Sequence, residues 1–126
     1  MAKGFNQNKE RQESIFSFGK QLGKRAAFKC EWCESKEDLK PFDLRPAEEP
    51  SLETLALLCA RCRGLSDARR LDANSLRPLA GALWHEVPAV AEGAARILAR
   101  LDEDWARNAI DDSGLDEALK KELLAK

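Results

Sequence analysis

The sequence predicts a mostly helical α+β fold in which a cysteine-bearing β-hairpin packs between an N-terminal helix and a C-terminal set of about four helices. Three observations carry that expectation. Apolar residues recur at helical spacing before residue 27 and again beyond residue 67, the period vanishes in between, and two Cys-x-x-Cys units bracket the interval that lacks it. With 126 residues, 44% of them apolar, the chain suffices for one domain with a modest core and is too short for a second.

Each element follows from local chemistry. Residues 1–8 are polar and read as a flexible arm, leaving 9–126 as the single domain. Ile15, Phe18, Leu22 and Ala26 then mark a helix over 9–25, with Lys9, Lys20 and Lys24 on the opposite face. Gly19 and Gly23 weaken it by about 1 kcal/mol each. A polar turn at 35–38 and a Pro-punctuated loop at 46–51 flank strands expected at 39–45 and 55–58, with Ser51 opening a single helical turn. Beyond these, Ser75 is placed to cap a helix carrying Leu76, Leu79, Leu83 and Trp84, the last as a core anchor, and Pro88 starts the next. Val90, Ala94, Ile97, Leu98 and Leu101 give that helix a broad apolar face. A short helix around Trp105, Ala109 and Ile110 follows, opened by Glu103 and Asp104. The last, over 115–125, has Ser113 as its expected cap and buries Leu115, Leu119 and Leu123.

The cysteines define the chemistry. Cys30 and Cys33 are separated by two residues, as are Cys59 and Cys62, with twenty-five residues between the pairs. The N-terminal MAKGFNQNKE has no apolar core of the secretory kind, and the longest apolar run is six residues, so a cytoplasmic chain away from membranes is expected. In that reducing compartment two disulfides are disfavoured, and the spacing points to one tetrahedral zinc ion held by four thiolates. Iron-sulfur and dithiol readings stay open, although neither pair has the strand-and-helix setting of a thioredoxin-like site. Four thiolates fill the shell, so the expected zinc is structural and the protein is not an enzyme. No serine nucleophile with a matching histidine, Gly-rich phosphate loop or uncommitted cysteine speaks for catalysis or a small-molecule substrate.

A net charge of −1 conceals segregation, with seven basic against two acidic residues over 1–30 and five against two over 59–78. Lys29, Arg61 and Arg63 are placed to offset the formal −2 of a zinc tetrathiolate. Arg61, Arg63, Arg69 and Arg70, with Lys20, Lys24 and Arg25, form the candidate surface for an unidentified protein partner or a nucleic acid. Against nucleic acid, Phe16 and Phe18 read as core residues, and no base-reading helix stands out. His85, the only histidine, reads as a surface or capping residue, and Glu86 as a local hydrogen-bond partner.

The stretch KCEWC, ESKEDL and LALLCARC resembles the treble-clef zinc scaffold of HNH-type nucleases. Pro41, Phe42, Asp43 and Leu44 stand where that family's hairpin histidines would lie, so the resemblance implies the scaffold and at most a degenerate nuclease. A closer resemblance is to the N-terminal zinc-ribbon region of PhnA proteins, carried by CEWCESKEDL, LLCARC, Leu71-Asp72-Ala73-Asn74, Arg77 and the string from Leu83 to Val90. It implies zinc binding and establishes no phosphonate chemistry. Ser75, Leu76 and Pro78 stand where many relatives are expected to have His, Trp and Cys, and the family's C-terminal β-rich domain has no counterpart here.

Overall fold

A run of four apolar residues, Leu55–Leu58, organises the molecule. The computed structural model describes residues 2–125, with side chains from residue 9 onward. Strand β2 (Leu55–Leu58) pairs antiparallel with β1 (Lys40–Asp43), and Lys40 lies opposite Leu58 and Asp43 opposite Leu55. Every β2 side chain is buried, whereas β1 is exposed at Lys40 and half-buried along the rest. Alternation along a strand sends successive side chains to opposite faces, so β2 serves two cores. Leu55 and Leu57 join Leu22 beneath Ile15 and Phe18, while Ala56 and Leu58 join the main core with Val90, Leu98 and Ile110.

The N-terminal face is built by α1 (Ala2–Ser17) and α2 (Gly19–Arg25). The expected helix over 9–25 is thus two helices that meet at Phe18, and the first runs back to Ala2. The arm expected at residues 1–8 lies outside the residues whose side chains are described. Ile15, Phe18 and Ala26 pack against the small Leu22–Leu55–Leu57 core as their spacing predicts. Phe16 does not: it is 59% exposed, because it falls one residue after Ile15 and turns off the apolar stripe. Arg11 fixes α1 to the hairpin through Asp43 at 2.8 Å and the Glu48 carbonyl at 2.7 Å.

On the other side lie α3 (Ala60–Arg63), α4 (Leu79–Ala82), α5 (Pro88–Leu98), α6 (Asp104–Asp112) and α7 (Glu117–Leu123), with 3-10 turns at Leu65–Asp67 and Asn74–Leu76. Pro88 occupies the first turn of α5, where its missing N–H goes unneeded. Asp104 lies in the first turn of α6 as its charge favours. Three local expectations are corrected. The Ser75 hydroxyl donates to the Asp72 carbonyl at 2.9 Å and caps no helix, so the expected helix from Ser75 is a 3-10 turn followed by the short α4. The cap of α7 is Asp116, which accepts from the Ala118 and Leu119 amides, while the Ser113 hydroxyl turns back to Ile110 O. Leu115, Leu119 and Leu123 are half-buried, since α7 has no buried residue and lies on the rim of the core.

Trp32 ties the first cysteine turn to α5. It is 2% exposed and its indole Nε1 donates to Val90 O at 3.1 Å. Its ring lies over Gly93 of α5, where an added Cβ would sit 2.8 Å from the ring, so that helical glycine permits the close approach.

Candidate metal centre

The first cysteine pair sits in a tight turn closed by Cys30 O accepting from Glu34 N at 2.9 Å and Ser35 O from Cys30 N at 2.7 Å. Glu34 completes it in the left-handed region, with φ 68. The second pair straddles the start of α3: Cys59 is the extended N-cap residue, and Cys62 lies inside the helix. The hairpin between them carries Cys59 back to the turn. All four Sγ atoms lie within 4.8 Å of one another, and Cys33 Sγ is 3.6 Å from Cys59 Sγ, well beyond a disulfide bond. A metal–sulfur distance of about 2.3 Å gives a tetrahedron with edges of about 3.8 Å, so the four cysteines are close enough to share one metal ion.

Their close packing sets the four sulfurs against one another electrostatically. A hydrogen bond from Cys62 holds Cys30 down at about 4, outweighing its burial. Cys62 is pushed far up by the same hydrogen bond, by burial and by the neighbouring sulfurs, and Cys33 is raised by burial and by Cys30. Thiolates packed this closely repel one another, and four can ionise together only around a positive ion. Cys30, Cys59 and Cys62 are buried, whereas Cys33 is half-exposed at the mouth of a recess of about 530 Å³ that Arg61 also lines.

The basic residues divide sharply. Arg61 is exposed, and although burial opposes it, a hydrogen bond with Cys33 and the nearby sulfurs raise its pKa. Arg63 turns inward, donating to the carbonyls of Asp38 at 2.6 Å and Leu58 at 2.7 Å and pairing with the Asp38 carboxylate at 3.0 Å. Arg25 is likewise committed: it pairs with Glu31 and donates to the carbonyls of Leu52 and Leu55. Lys20, Lys24, Arg69 and Arg70 are exposed. Lys29, half-buried, makes no ion pair among the described residues. The seven expected partner residues therefore do not form one patch of free cations.

Glu31, inside the first Cys-x-x-Cys, is a functional residue that was not legible in the sequence. Its side chain is 1% exposed and accepts from the Leu57 amide at 2.8 Å, from Arg25 at 2.7 and 3.0 Å, and from His85 Nε2 at 2.6 Å. Because the Val87 amide donates to His85 Nδ1 at 3.0 Å, the ring hydrogen resides on Nε2 and is the one donated to Glu31. Burial works to raise the Glu31 pKa, but His85, Arg25 and Leu57 together hold it below its ordinary value. His85 is thus an inward tether rather than a surface or capping residue, and it fills the local bonding role expected of Glu86. An acid between two metal-type cysteines and a solitary histidine were the only signals that could have revealed the pair.

Trp84, expected in the core, is 64% exposed. It forms the wall of a groove of about 410 Å³ with Pro88, Leu115 and Leu119, rimmed by Glu86, Glu92 and Asp116. Its neighbours Leu83 and His85 turn inward in its place. No helix among the described residues is long and apolar enough to cross a membrane. Comparison with protein-family models, curated proteins and solved structures finds no match for this chain.

Proposed function

We propose that this chain is a binding module pinned by one structural zinc ion, which Cys30, Cys33, Cys59 and Cys62 would hold on a treble-clef-like zinc ribbon. The observation that carries the reading is the convergence of four sulfurs within 4.8 Å. Zinc suits an all-thiolate tetrahedron, and a two-residue spacer within each pair reaches one ion without strain. A shell of four thiolates leaves no place for water or substrate, so the reading is non-catalytic. A reducing compartment such as the cytoplasm keeps the thiols available. The chain resembles PhnA N-terminal regions in CEWCESKEDL, LLCARC and the string from Leu83 to Val90.

Metal analysis of the chain purified under reducing conditions tests the reading. One zinc per chain is expected, and substoichiometric metal would remove it. A nuclease reading of the HNH type predicts DNA cleavage with magnesium or manganese that a chelator abolishes; none is expected, because the hairpin offers no histidine. Nucleic-acid contact beside the metal would use Arg61, Arg69 and Arg70, since Arg63 is bound to the hairpin. That reading predicts salt-sensitive affinity that drops on Arg69→Ala with Arg70→Ala.

A further inference from the structure

The outer face of the N-terminal helices carries a feature that the metal centre does not use. Phe16, Lys20, Lys24 and Phe28 follow one another at four-residue steps, and all four are exposed, Phe16 at 59% and Phe28 at 62%. The path remains helical across the junction at Phe18, whose amide donates to Ile15 O at 3.1 Å and whose carbonyl accepts from Leu22 N at 2.9 Å. Residues four apart on a helix stack along one face, so Phe16, Lys20 and Lys24 form a stripe about 12 Å long, and Phe28, in the left-handed turn beyond α2, folds its ring back over Gly23 beside it. Ile15, Phe18, Leu22 and Ala26 occupy the inner face, against the hairpin.

Phe28 is held in place rather than left loose. Ala27 and Phe28 both adopt left-handed backbone, with φ 54 and 58, which residues bearing a Cβ rarely enter. The conformation closes α2 through Phe28 N donating to Gly23 O at 2.8 Å. One side of the Phe28 ring rests on Gly23, where an added Cβ would come within 2.7 Å of it, and the remainder stays open to solvent. Strained backbone that fixes an exposed aromatic ring points to a role for that ring. Lys20 and Lys24 have no ion-pair partner among the described residues, in contrast to the neighbouring Arg25, which is turned inward onto Glu31. Favourable placement near the α2 C-terminus accounts for Lys24, but for neither phenylalanine. Glu13, one turn before Phe16, marks the limit of the basic surface.

We propose that the Phe16–Lys20–Lys24–Phe28 surface binds single-stranded nucleic acid. The lysines meet backbone phosphates and the two rings stack on unpaired bases. Cations interleaved with exposed aromatic faces form the surface that such strands use without sequence preference. A duplex hides its base faces and would leave both rings idle. The groove beside Trp84 has an acidic rim and repels the same ligand. The proposal goes beyond the zinc reading, for the metal would brace the hairpin under α2 without touching the strand.

Fluorescence anisotropy of the full-length chain with a labelled oligothymidylate of about fifteen nucleotides tests it, with a duplex of equal length and rising salt as further arms. The single strand is expected to bind more tightly than the duplex, with affinity that falls as salt rises. Phe16→Ala and Phe28→Ala should each weaken binding about ten-fold, and Lys20→Glu with Lys24→Glu should abolish it. Circular dichroism and zinc content, measured on every variant, separate loss of this surface from loss of the metal site. Phe16 faces outward, so its variant remains a test even if Phe28→Ala misfolds. No binding to the single strand, equal binding to the duplex, or undiminished binding by Phe16→Ala would overturn the proposal.

Discussion

The cysteine hairpin and the C-terminal helices are held by different balances of forces. Around the hairpin the connections include the apolar contacts of β2 but also the four clustered thiols, an inward-turned Arg63, and a buried Glu31 that joins Arg25 of α2 to His85. Among the C-terminal helices they are apolar contacts of fully buried Leu79, Val90, Leu98 and Ile110. A two-stranded hairpin is too small to hold itself in water, whereas stacked amphipathic helices bury enough apolar surface to persist. The difference teaches that changes at the two regions should fail in different ways, one through lost ligation or charge and the other through an empty cavity.

The largest effect is expected from Cys59→Ser. Structural zinc contributes on the order of 10 kcal/mol in isolated finger peptides, so the variant should lose both metal and hairpin order, measured by zinc content and near-ultraviolet circular dichroism. Next is Glu31→Gln, which strips the counter-charge from Arg25 and alters the His85 bond. About 3 kcal/mol of destabilisation is expected in urea denaturation. The same carboxylate sets a pH dependence. Its folded-state pKa lies below the ordinary value, so its contribution is complete above about pH 5 and is lost as pH falls through the lowered value. The acid limb of a stability–pH curve should therefore flatten in Glu31→Gln.

On the other side of the comparison, Leu98→Ala should cost about 2–5 kcal/mol through the cavity it leaves, with the zinc content of the folded chain unchanged. If this variant shed metal while still folded, the two regions would not be separable in the way proposed. Trp84→Ala is the smallest expected effect, within about 0.5 kcal/mol, because the ring is largely exposed and its groove lies outside the core.

What the sequence could reveal follows the range of the interactions involved. Both hairpin strands were legible, since expected spans of 39–45 and 55–58 became Lys40–Asp43 and Leu55–Leu58. So was the first turn of α5, because proline fixes its backbone locally. The convergence of the four cysteines followed from spacing alone. Trp84 was not legible: at a helix end, periodicity does not settle which of three adjacent apolar or aromatic residues turns outward, and Leu83 took the core. The inward arginines escaped for a related reason. Arg25 and Arg63 look like surface cations in one dimension, and only the folded hairpin supplies the carbonyls and carboxylates that draw them in.

The central claim is that one metal ion orders the hairpin between its two helical layers. Amide hydrogen exchange of the reduced chain, before and after stoichiometric zinc is removed by a chelator, tests it most directly. The account predicts that protection across the Cys30–Cys33 turn and strands β1 and β2 falls first and furthest on zinc loss, ahead of α5 and α6. Zinc that leaves without changing protection of the hairpin would contradict it.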